Sequence, residues 1–85
     1  MVTKTVERQQ TGIRIEKPLM KVLKGLAEYH DITLGDLLEG IVLHSFDGKA
    51  PFGKESIRKI GELRKVYGLD LTGADAHKLV EKKTR

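Results

Sequence analysis

Gln10-Thr11-Gly12-Ile13-Arg14-Ile15 is the stretch on which the fold turns. Ile13 and Ile15 fall on one side of an extended chain and Gln10, Gly12 and Arg14 on the other, the period-two pattern of a half-buried strand. Everything after it reads as helix, so this strand has no partner in its own chain. Its backbone N–H and C=O groups need partners and its isoleucine face needs cover. A second copy supplies both. Two such strands pairing antiparallel about a dyad make a two-stranded ribbon, with Ile13 and Ile15 of both chains turned onto the helices. The expectation is a mainly α chain with one short amino-terminal strand, working as a homodimer.

The helices are written by apolar spacing and by punctuation. Pro18 suits a first helical turn, where its missing N–H is not needed. Leu19, Val22, Leu23, Leu26 and Ala27 follow as one stripe, which predicts a first helix over residues 18–29. His30-Asp31 closes it, with Asp31 in the left-handed region. Thr33-Leu34-Gly35-Asp36 has capping-box spacing and opens a second helix, whose buried stripe is Leu34, Leu37, Leu38, Ile41, Val42 and Phe46 and whose stop is Asp47-Gly48. Gly25 and Gly40 inside these helices mark either a close backbone approach or a tolerated loss of about 1 kcal/mol each. A third helix over residues 54–67 follows from Ile57, Ile60, Leu63 and Tyr67, ended by Gly68 with Leu69 beyond the cap. Thr72-Gly73-Ala74-Asp75 repeats the capping-box spacing, and Ala76, Leu79 and Val80 outline a fourth helix before the charged tail of residues 81–85.

A chain of 85 residues makes one small domain, and at that size association is an effective stabiliser. Cysteine is absent, which excludes disulfides and thiolate metal sites. His30, His44 and His77 lack the spacing of a zinc site, so neither a metal nor a cofactor is expected. No nucleophile beside a base, no paired carboxylates and no phosphate-cradling glycine loop is legible, and the chain reads as a non-enzyme. No apolar run has signal-peptide or membrane-spanning length, so the expectation is a cytoplasmic protein without membrane contact. The net charge of +4 tilts toward an anionic partner. Asp36, Glu39 and Asp47 make residues 33–48 acidic. Lys49, Lys54, Arg58, Lys59, Arg64 and Lys65 outweigh Glu55 and Glu62 in residues 49–67.

Taken in order, Thr11-Gly12-Ile13-Arg14-Ile15, the stripe from Leu19 to Ala27, the turn Tyr29-His30-Asp31-Ile32 and Thr33-Leu34-Gly35-Asp36-Leu37-Leu38 resemble the ribbon-helix-helix (Arc/MetJ/CopG-like) family of DNA-binding proteins. The resemblance covers residues 10–48. It implies a homodimer on double-stranded DNA, with the ribbon in the major groove and the outward positions Gln10, Gly12 and Arg14 at base edges. Arginine bridging the two acceptors of guanine and glutamine pairing both edge groups of adenine agree with that placement. It also implies phosphate anchoring at the amino terminus of the second helix, here Thr33, Leu34 and Gly35, where free N–H groups favour an anion. Lys4 and Arg8 on the arm are candidates for flanking phosphates. The dimer core is expected at Ile13, Ile15, Leu23, Leu26, Leu38, Ile41 and Val42.

The organisation that follows is a basic arm over residues 1–9, a ribbon-helix-helix core over 10–48 and a helical extension over 49–85. Its function is that of a transcription regulator of repressor type, with higher assembly on DNA left open. The alternative is a protein-interaction module, an antitoxin-like scaffold whose residues 49–85 dock a partner protein. The basic third helix stands open between DNA backbone contact, partner binding and plain solvation.

Overall fold

Glu16 opens the helical part of the chain by capping the first helix with its own carboxylate, which accepts a hydrogen bond from the Leu19 amide at 3.1 Å. In the computed structural model, which describes residues 3–82, this helix, α1, spans Lys17–Tyr29 with the proline in its first turn. Asp31 at φ 57° lets the chain reverse, and the Ile32 amide donates back to the Ala27 carbonyl at 3.0 Å. Thr33 then caps α2 (Leu34–Phe46), its hydroxyl accepting from the Asp36 amide at 3.0 Å. Gly48 at φ 72° ends that passage, Pro51 and Gly53 lead into α3 (Lys54–Tyr67), and Gly68 at φ 68° terminates it. The Leu69 amide closes that cap on the Arg64 carbonyl at 3.0 Å, and its side chain is buried.

The core is built around α1. Val22, Leu26 and Ala27 from that helix meet Leu37 of α2, Leu63 of α3 and Leu69, with Leu19, Leu23, Ile41, Phe52, Ile60 and Leu71 packed on the rim. Helices α1 and α3 run antiparallel: Gly25 lies against Leu63 and Tyr67, while at the other end the Tyr29 hydroxyl donates to Glu55 at 2.8 Å. His30 Nε2 and the Ser56 hydroxyl are 2.9 Å apart at the same end. The Tyr29 bond, followed by the Arg58 guanidinium, holds the Glu55 carboxyl below its usual range, and the same Tyr29–Glu55 bond pushes the Tyr29 phenol up. A depressed carboxyl favours the fold above its ordinary titration range, a contribution lost in acid as the pH falls through the depressed value. Leu63 and Leu69 join the core with α1 residues, so the second half of the chain is part of the unit that folds.

The structure corrects the expected fold class. Among the described residues there is no β-strand, and the protein is all-α; a ribbon-helix-helix fold, which requires a strand ribbon, is not what this chain forms. Residues 10–15 are extended, but among the described residues no backbone–backbone hydrogen bond involves residues 3–15. Ile13 is 60% exposed and only Ile15 is half-buried. Alternation reports an extended backbone with two unlike faces; a strand also needs a ladder, and the chain supplies no neighbour for one. The expected pair of carboxy-terminal helices is corrected as well, because only α3 forms. Thr72 and Asp75 do make the two-sided box, with the Thr72 amide on the Asp75 carboxylate at 2.9 Å and the Ala74 amide on the Thr72 hydroxyl at 3.3 Å. It caps a single 3-10 turn, Gly73–Asp75, after which His77 takes φ 68°. Leu79 and Val80 remain exposed, and a short helix without a surface to bury its stripe on is not stable. Met1 and Val2 of the arm and residues 83–85 of the tail lie outside the described residues.

The two helical glycines part ways. A Cβ on Gly25 meets Leu63 Cδ2 at 3.1 Å, so the close approach of α1 and α3 depends on glycine there, whereas a Cβ on Gly40 meets no atom within 4 Å. Gly40→Ala is therefore expected to raise stability by about 1 kcal/mol, while Gly25→Ala gains less or loses because the buried Leu63 side chain must give way. Chemical denaturation of both variants checks this, and a larger gain at Gly25 contradicts the packing described.

Candidate nucleic-acid interface

Residues 3–14 are exposed throughout and carry most of the side chains that pointed toward DNA. The segment is held to the helices by two ion pairs. Arg8 lies fork to fork on Glu39 of α2, with Nε and Nη2 each 2.9 Å from a carboxylate oxygen. Hydrogen bonding to that guanidinium pulls the Glu39 carboxyl below its usual range and raises Arg8 in turn. Arg14 pairs with Glu81 from the far end of the chain. Lys4, Val6, Glu7 and Arg8 face Leu38, Glu39, Val42 and Leu43 across a shallow apolar groove. Gln10 and Gly12 lie between the two tethers, both exposed, and the space around Gly12 is open.

At the amino end of α2, Thr33 and Gly35 are exposed and Leu34 is half-buried. The Asp36 amide is already satisfied by the Thr33 hydroxyl, and Asp36 itself places a carboxylate in that first turn. Arg8 is bound to Glu39 in the second turn of α2, and the charge of Asp36 adds to that of Glu39 in raising it. Arg14 stands apart from them at the carboxy-terminal segment.

Of the expected dimer-core residues, Leu26 is buried to 1% exposure inside the single chain, and Ile15, Leu23, Leu38 and Ile41 are half-buried. Ile13 and Val42 are exposed. Helix α2 carries Leu34, Leu37, Leu38, Ile41, Val42, Leu43 and Phe46, yet only Leu37 is buried; Val42 is 43% and Phe46 82% exposed.

Sequence reasoning missed two features of this surface. One is the pair of carboxylates, Glu39 and Glu81, that occupy the arginines; the 31- and 67-residue separations left no local signal for either. The other is a set of lysines on α1, Lys17, Lys21 and Lys24, which stand opposite the apolar stripe and to which the sequence reading gave no role. Among the described residues no cluster of three His, Asp or Glu side chains could hold a metal ion, and no helix is long and apolar enough to cross a membrane. Comparison with protein-family models, with curated proteins and with solved structures finds no match.

Proposed function

We propose that the protein binds double-stranded DNA as a homodimer and acts as a transcription regulator, with its extended amino-terminal segment as the contacting element. The observation that carries this reading is that residues 3–14 are exposed and outside the core, make no backbone–backbone hydrogen bond among the described residues, and bear Lys4, Arg8, Gln10 and Arg14. A segment of this kind contributes little to the chain's own fold. Its free amides and guanidinium groups match what a groove and its flanking phosphates accept. The pairs with Glu39 and Glu81 are exposed, and exposed pairs exchange partners readily when a denser anion arrives. The uncovered apolar side of α2 supplies a surface for the second copy.

Titrating a duplex pool with the protein across a salt series tests this. Affinity is expected to fall steeply as salt rises, because phosphate contacts release counterions. Arg14→Ala is expected to relax base preference by about 1–3 kcal/mol at the position it reads. Binding that is absent or indifferent to salt overturns the reading, and an unchanged footprint in Arg14→Ala removes that residue's role.

A further inference from the structure

Lys17, Lys21 and Lys24 lie on α1 at spacings of four and three residues, within about 60° of one another around the helix. All three are exposed, and among the described residues none makes a salt bridge. The guanidinium groups of Arg8, Arg14 and Arg58, by contrast, are each bound to a carboxylate. Lys21 is steadied from one side by the Tyr67 ring, whose centroid is 6.0 Å from its Nζ.

These lysines do not serve the helix that carries them. Lys17 stands in the first turn of α1, the positive end of the helix dipole, where a cation is unfavourable and an acid favourable. Beyond the Glu16 cap, α1 has no acidic residue in its first turn and no basic residue in its last. At Lys17 the potentials of the side chain and of the helix end add, so an anion laid at the start of this face meets both. The column rises about 10 Å along α1, against one phosphate per ~3.4 Å of duplex axis on each strand. One strand's backbone therefore passes within reach of all three ammonium groups. Lys17 is also three residues beyond Arg14, so a duplex engaged by the amino-terminal segment lies beside the start of α1.

We infer that Lys17, Lys21 and Lys24 form a backbone-tracking site for duplex DNA, contacting phosphates without reading bases. This rests on the DNA-binding reading above and extends it to a face of α1 that the sequence pattern left as solvent-facing.

The test compares salt dependence of duplex binding for the wild-type chain, the triple variant Lys17→Gln/Lys21→Gln/Lys24→Gln, and a control of equal charge loss, Lys49→Gln/Lys54→Gln/Lys78→Gln. Each lost phosphate contact reduces the slope of log affinity against log salt by about 0.9. The α1 variant is expected to lose about 2–3 from the slope, uniformly across duplex sequences, and the control to keep it. Arginine at the same three positions is expected to restore the slope. If the wild type binds and the α1 variant keeps its slope, or the control loses as much, the lysine column is only a solvated face while DNA binding stands. If the wild type does not bind duplex DNA at any salt, the functional reading fails and takes the column with it. Melting of all variants by circular dichroism is expected to stay close to wild type, and a collapsed α1 variant is replaced by the single substitutions, each losing about one unit of slope.

Discussion

Leu26→Ala is expected to lower stability by about 3–5 kcal/mol, enough to leave much of the population unfolded at moderate temperature. Leu26 is the most deeply buried large side chain, at 1% exposure, and stands in α1 where the cores toward α2 and α3 meet. Truncating it removes apolar contact and leaves a cavity that flanking helices fill only in part, which is why such changes reach several kcal/mol. A chain of 85 residues holds roughly 4–13 kcal/mol in total. Thermal and urea melts read the loss directly; a shift below about 1 kcal/mol would show that the core is not organised on α1. Leu63→Ala, on the partner helix, is expected to behave alike.

The second large effect concerns association. Helix α2 shows water Val42, Leu43 and Phe46 on one side and half-buried Leu38 beside them, although each is a side chain that stabilises by being covered. The occupant we assign is another copy of the same chain, because a helix side crossing its own symmetry mate needs no further surface and the small single-chain core gains most from it. At tens of micromolar the wild type is expected to sediment as a dimer. Val42→Asp with Phe46→Asp is expected to weaken self-association by at least thirty-fold, since a central truncated anchor costs about 2 kcal/mol or more. Helix content should hold, because neither side chain belongs to the single-chain core. A wild type that sediments as a monomer at about 100 µM, well above the tens of micromolar at which the dimer is expected, would defeat this assignment.

The helices were legible because their signals are local. Thr33 before Leu34, Asp31 in the left-handed region and Gly68 before Leu69 each act within a few residues of where they stand, and all three do in the structure what their chemistry dictates. The strand was misread because six alternating residues describe a backbone direction without a partner, and pairing is decided by what lies alongside. The tail shows the same limit: Thr72 and Asp75 form their box, but a cap propagates only where the stripe behind it is covered, and Leu79 and Val80 stay exposed. At the candidate interface, Arg8 and Arg14 were found by type and position. Their attachment to Glu39 and Glu81 was not, because those partners are distant in sequence and are chosen only once the helices have packed.

Two exposed ion pairs fasten the amino-terminal segment, and ionic strength governs both. Released from them, residues 3–16 at about 3.3–3.6 Å each can stretch to roughly 45–50 Å, comparable with the 47 Å long axis of the whole molecule. The electrolyte thus sets how far this segment reaches: screened pairs hold it less tightly to the helices, and in the DNA-binding reading a longer reach lets first encounters with a duplex begin before the body arrives.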